Sequence, residues 1–312
     1  MENIDKIVRN KENLIPFIFA FLLILHLLLF IGGVKSNIEQ NRYDFGAFYK
    51  ASWRIVNDPI KLYWGGREDL PDKISEAIGY NAAYKYLPIF AMTLIPLTFL
   101  DYPLAKLVFL FLSLMAVILI ALIVIKLFEN FKWKIIGLVM VFLMPFPTIG
   151  SEPPWVNIMN PSSLIYYLSV GSPEFLSPVH FSNYREGNSK ALALFLLTLS
   201  YYFAYKKNLN KSIITLALGT FDPRALLIAL ALSPLYWGKR LLKPLLYLLG
   251  IVALLNLPLL LIPELTKDFI NMVFQYGIKT PLYMNSYLVI YTYPFIVIAH
   301  YIAKRESMLL KR

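Results

Sequence analysis

Residues Leu14 to Val34 read LIPFIFAFLLILHLLLFIGGV. His26 is the one strongly polar side chain in this run, which matches the ~20 residues a helix needs to cross ~30 Å of hydrocarbon. The run is too long for a signal-peptide core and lacks a small-residue cleavage site, so it reads as a retained membrane span. Lys6, Arg9 and Lys11 precede it. Positive charge stays on the cytoplasmic side of a membrane, which predicts a cytoplasmic N-terminus.

The rest of the chain repeats this pattern. Hydrophobic residues make up 58% of the 312 and charged ones 16%, against roughly 45–50% and about 25% in soluble domains. An all-α, polytopic membrane protein in a single domain, 1–312, is the expectation. Lys plus Arg number 30 and Asp plus Glu 19, a net +11. In a membrane chain this excess reports cytoplasmic loops and attraction to anionic membrane lipids rather than nucleic acid. With no cysteine, disulfides and thiolate chemistry are excluded. His26, His180 and His300 lie too far apart in the chain to suggest a metal cluster, and no metal or other cofactor is expected.

Further apolar blocks span Leu87–Leu100, Leu104–Phe128, Ile135–Ile149, Ala191–Tyr205, Ser212–Trp237, Leu245–Ile262 and Tyr287–Ala303, for about eight transmembrane or re-entrant helices. The block Leu87–Leu100 is short and carries Pro88 and Pro96. If it crosses, Lys132 and Lys134 fall outside, against the charge rule; if it only dips in, they fall inside. Ser212–Trp237 is broken at Phe221-Asp222-Pro223-Arg224. Proline and two charges would be costly against lipid, so two short helices should meet there at a turn facing a water-filled cavity. Lys206, Lys207 and Lys211 mark a cytoplasmic loop, and Lys304, Arg305, Lys311 and Arg312 place the C-terminus inside. Three long stretches, 35–85, 151–189 and 263–286, then become external loops.

In the first loop, Phe45, Phe48, Tyr49, Ser52, Trp53 and Val56 recur at helical spacing, with Lys50, Arg54 and Asn57 on the other face. This is the pattern of an amphipathic helix lying in the membrane interface. Asp44 stands at its start. The plain reading is a helix N-cap; the functional one is a carboxylate at a cavity rim, able to take a proton from a hydroxyl.

Here the chain resembles a family. Asp44-Phe45 followed by aromatics and a small residue, then Asp58-Pro59 and Leu62-Tyr63, is similar to the first external loop of GT-C glycosyltransferases. The closest branch is the polyprenyl-phosphate-mannose-dependent mannosyltransferases of phosphatidylinositol mannoside synthesis. Three later features agree in order: Tyr84-Lys85-Tyr86-Leu87-Pro88 with Pro96, Gly187-Asn188 before a span, and Leu218-Gly219-Thr220-Phe221-Asp222-Pro223-Arg224. The chain departs from the pattern at Asp222, where the family has lysine before the proline, and at Asn188, where it has Gln after the glycine.

The resemblance implies an inverting transfer of a sugar, mannose or another hexose, from a polyprenyl or dolichyl phosphate donor to a hydroxyl of a glycolipid or glycan acceptor on the external face of the cell membrane. It implies Asp44 as the catalytic base. A leaving phosphate needs a cation, for which Arg224, Lys85 and Arg185 are the candidates. Tyr43, Tyr49, Tyr84, Asn188 and Asp222 are candidates for substrate binding, and Trp53, Trp64, Trp155 and Tyr184 could also stack on sugar rings. Each has a plainer alternative: Arg224 pairing with Asp222, Lys85 as an interfacial anchor, Arg185 as a solvated loop charge, the aromatics as a membrane-interface belt. Glu39, Glu152 and Glu186 are alternative bases or cation ligands. Two other classes stand beside the enzyme: a solute or lipid transporter with a broken helix at Asp222–Arg224, and a non-catalytic GT-C-like membrane subunit.

Overall fold

The computed structural model describes residues 12–40, 44–81, 83–143, 184, 187–238, 241–272 and 288–310, and their regular structure is entirely helical. The opening apolar run forms α1 (Ile15–Gln40). Phe17, Phe21, Ile24, Leu28 and Ile31 form an exposed stripe along it at helical spacing, while Leu22, His26 and Asn37 turn inward. The first polar loop folds into α2 (Phe45–Asn57) and α3 (Asp72–Ile78). The ambiguous block Leu87–Leu100 becomes α4 (Pro88–Thr93) and a 3₁₀ turn, Ile95–Phe99. Six helical residues rise only ~9 Å, so this block does not make a full crossing helix. Next come α5 (Tyr102–Leu127), begun by Pro103 in its first turn, and α6 (Phe131–Leu143). The segment Ile15–Ile38 of α1 and all of α5 are long and apolar enough to cross a membrane.

Three helices open the second half. These are α7 (Lys190–Tyr205), α8 (Leu209–Gly219) and α9 (Pro223–Trp237). The break between α8 and α9 falls at 220–222, as proline and charge require. Its surroundings differ from the expectation of a water-filled cavity. Thr220, Phe221 and Asp222 are buried, and Phe221 stacks on Phe90 of α4 at 4.3 Å. The run Leu245–Ile262, expected as one span, is split into α10 (Leu242–Leu255) and α11 (Leu257–Leu261). At the split, Asn256 Oδ1 accepts from the Ile89 amide at 3.3 Å, and Pro258 starts the second piece. The helix α12 (Pro263–Met272) follows, and α13 (Leu288–Leu310) closes the described chain.

The surroundings of α2 also depart from the sequence reading. Its apolar face does pack inward, with Phe45 and Phe48 against Phe109 of α5. Its polar face, expected to meet water or lipid head groups, is covered by the loop that follows. Arg54, 1% exposed, donates to both oxygens of Asp69 at 2.6 and 2.9 Å, to the Gly66 carbonyl at 2.8 Å and to the carbonyl of Trp64. Lys50 donates to the carbonyls of Gly65 and Gly66 at 2.7 and 3.2 Å. Burial, with repulsion from Arg54 added, lowers the Lys50 ammonium to about 8. Burial pushes the Asp69 carboxyl up, but the hydrogen bonds and charge of Arg54 outweigh it and hold it below its usual range. A helix with a polar face thus becomes an interior helix because its own C-terminal loop supplies carbonyls and a carboxylate to the two cations.

Candidate functional site

The backbone of Asp44 is already helical, at φ −51 and ψ −31, and its carbonyl accepts from the amides of Ala47 and Phe48 at 3.0 and 3.2 Å. Its side chain makes no cap bond. This departs from the plain N-cap reading, since a helical φ/ψ swings the carboxylate away from the first-turn amides. The carboxylate is engaged elsewhere: Asn188 Nδ2 donates to Asp44 Oδ2 at 2.6 Å. Asn188 is 1% exposed, and its Oδ1 is buried with no hydrogen-bond partner among the described residues.

Local backbone chemistry puts Asn188 there. Gly187 sits at φ +60, in the left-handed region, and a Cβ on it would lie 3.3 Å from Asn37 Nδ2 and 3.3 Å from Phe45 Cβ. Only glycine meets both demands without strain. Just before it, Tyr184 anchors the segment. Its carbonyl accepts from Asn37 Nδ2 at 3.2 Å and from the Gly187 amide at 3.2 Å. Its hydroxyl lies 2.7 Å from His26 Nε2, and His26 Nδ1 lies 2.8 Å from the Phe142 carbonyl. A carbonyl can only accept, so the His26 proton is assigned to Nδ1 and the Tyr184 hydroxyl donates to Nε2. The histidine of the first span is therefore a bracket between α1, α6 and residue 184.

Two residues beyond Asn188, Lys190 opens α7 and forms an ion pair with Asp222, both side chains fully buried. Lys190 also donates to the Tyr86 hydroxyl at 2.9 Å, and its ammonium lies 4.7 Å from that ring's centroid. The Leu87 amide donates to the Phe221 carbonyl at 3.1 Å. Three of the four motifs quoted from the sequence therefore meet through 187–190: the acid at 44, the aromatic-proline block at 84–88 and the helix break at 219–224.

Other candidates fall elsewhere. The Tyr49 hydroxyl donates to the Leu100 carbonyl at 2.8 Å. Burial first, and the charge of Asp101 second, raise it above its ordinary range. Tyr84 is 1% exposed; its hydroxyl donates to the Leu87 carbonyl at 2.8 Å and accepts from the Ala91 amide at 2.9 Å, which makes it a brace for the start of α4. Lys85 is exposed. Trp64, 42% exposed, has the Arg54 guanidinium 5.3 Å from its ring centroid. Arg224 lies in the first turn of α9. Its side chain, with those of Tyr43, Arg185, Trp155, Glu39, Glu152 and Glu186, lies outside the described residues. Asp222 pairs with Lys190 rather than serving as an open polar group. Among the described residues no three His, Asp or Glu side chains gather in a way that could hold a metal ion.

Sequence reasoning passed over Lys190 and Tyr86. A signal for the first was present: a charge at the edge of an apolar run must find an opposite charge, and Asp222 is the acid inside the next apolar stretch.

No protein-family model, curated protein or solved structure matches this chain. The functional reading rests on its residues and their geometry.

Proposed function

We propose that this chain is a polytopic membrane glycosyltransferase of the GT-C type, moving a hexose from a polyprenyl or dolichyl phosphate to an acceptor hydroxyl on a glycolipid or glycan, with Asp44 as the base. One observation carries the reading. The Asp44 carboxylate is not spent on capping its helix but is aimed by a buried amide, Asn188, from the Gly187-Asn188 element that the resemblance pairs with it. A base must be held in one orientation before it can accept a proton from a particular hydroxyl.

In the reaction, the acceptor oxygen attacks the anomeric carbon as its proton passes to Asp44. The bond from that carbon to the phosphate oxygen breaks on the opposite face, and polyprenyl phosphate departs with the electron pair, inverting the centre. The departing charge calls for a cation from Arg224, Lys85 or Arg185. A membrane setting is supported by the apolar outer surfaces: Phe17, Phe21, Phe99, Leu227, Leu242, Leu254 and Leu261 are each more than half exposed. The stripe of Phe17, Phe21, Ile24, Leu28 and Ile31 along α1 is an exposed apolar patch of a kind that soluble monomers rarely carry. Both termini then face the cytoplasm and Asp44 the outside, in line with the distribution of lysine and arginine.

The test is sugar transfer by full-length protein in liposomes carrying a polyprenyl-phosphate hexose. Asp44→Asn is expected to abolish product while leaving the protein folded, and Asp44→Glu to retain part of the activity. Undiminished transfer by Asp44→Asn removes Asp44 as the base. A buried ion pair at a helix break also suits a transporter; solute uptake without any covalent product would favour that reading.

A further inference from the structure

α5 spans 26 residues, a rise of ~39 Å, with Tyr102 near the Asp44 site at one end and Leu127 at the other. A cavity of about 410 Å³ lies at that second end, bounded by the turn after α5, the end of α7 and the last turns of α13. Its volume falls within the ~300–1,000 Å³ of small-molecule sites.

The walls have distinct chemistry. Phe128 and His300 meet edge to face at 5.7 Å, and Tyr205 and His300 at 4.7 Å. His300 is committed to the scaffold. Its Nδ1 lies 2.6 Å from the Tyr201 hydroxyl, and its ring also bonds the Leu127 carbonyl. Lys304, in the lining, has its ammonium 5.6 Å from the Tyr205 ring centroid. The lining also holds two carboxylates, Glu129 and Glu306. One oxygen of Glu306 is held by the Trp133 indole N–H at 2.8 Å, and the Trp133 ring stacks on Phe128. Among the described residues, no ion pair takes up Glu129 or Lys304.

From this geometry we infer that the cavity is a binding site for a phosphoethanolamine group, whose ammonium lies against the carboxylates and Phe128 and whose phosphate lies at Lys304. Rings beside carboxylates favour an alkylammonium, and Lys304 favours the anion. A purely anionic ligand would meet Glu129 and Glu306. A purely cationic one would meet Lys304. The inference does not depend on sugar transfer, since it concerns the opposite end of α5.

Full-length protein purified in detergent would be titrated with short-chain phosphatidylethanolamine, short-chain phosphatidylglycerol and water-soluble glycerophosphoethanolamine, with binding read by calorimetry and Tm. Ethanolamine ligands are expected to bind about tenfold or more tighter than the glycerol lipid. Glu129→Gln with Glu306→Gln should erase that preference, and Ala303→Trp should fill the cavity and remove binding. Ser307→Trp serves the same end if Ala303→Trp fails to fold. Binding of glycerophosphoethanolamine as tight as that of the lipid assigns the site to a soluble ligand, and binding of the lipid alone assigns it to the membrane. Equal affinity for the ethanolamine and glycerol lipids, or binding that survives a folded cavity-filling variant, overturns the inference.

Discussion

Lys190 and Asp222 form an ion pair in which neither side chain has any exposure. Removing one member leaves an uncompensated buried charge, at a cost of roughly 3–5 kcal/mol. Lys190→Met or Asp222→Leu alone should therefore lower Tm by several degrees in detergent, and the double variant should recover most of the loss. A double variant no better than either single one would show that the pairing is not what stabilises the junction.

The 2.6 Å contact from Asn188 to Asp44 yields a test in pH. Asn188→Asp sets a carboxylate against a carboxylate, which favours the protonated form of the pair and shifts its loss of a proton to higher pH. Transfer should fall, and the rising limb of kcat against pH should move upward. Asn188→Ala removes the positioning donor, with an expected loss of roughly a hundredfold in kcat. Gly187→Ala, which strains a residue at φ +60, should reproduce much of that loss while destabilising the fold by only about 1–2 kcal/mol.

Arg54 pins the loop 64–69 onto α2 through Asp69 and two carbonyls. Arg54→Ala should expose this loop to protease and cost roughly 3–5 kcal/mol. Arg54→Lys should rescue little, because an ammonium cannot reproduce the fork that spans both Asp69 oxygens. Protease resistance equal to the parent's in Arg54→Ala would overturn this assignment.

Lys50 gives the fold a pH dependence of defined sign. Its folded value is lowered from 10.5 to about 8, so between those limits the unfolded chain holds a proton that the folded chain has released. Stability from this group therefore rises as pH climbs from about 8 toward 10.5 and is flat below. Burial raises Tyr63 and Tyr84 well above 10.0, so the folded chain keeps their protons where the unfolded chain loses them. Their contribution falls as pH rises past 10. Thermal unfolding compared between the parent and Lys50→Met should show the alkaline rise only in the parent.

Much of the helical plan was legible because it is local. Apolar run length marked α1 and α5, and the α8–α9 break was readable from Asp222-Pro223 because proline and charge act on the chain where they stand. The single span expected over Leu245–Ile262 is split at Asn256, where Pro258 is a local mark of the break but the partner of the Asn256 side chain, the Ile89 amide, is 167 residues away. Lys50 and Arg54 were assigned to an open polar face because a helical wheel shows which residues are polar but not what the next loop will lay over them.

At the candidate site the division is similar. The sequence determined that these segments stand beside apolar runs, and a family resemblance was what grouped Asp44, Gly187-Asn188, Tyr84–Pro88 and Leu218–Arg224 as one expected set. It could not determine that Asp44 turns from its own helix to Asn188, that Lys190 meets Asp222, or that Tyr84 is a brace. A buried polar group takes whichever partner the packing brings within hydrogen-bond range. That choice depends on contacts between segments 32 to 144 positions apart, which composition, spacing and periodicity do not carry and which only the tertiary structure brings together.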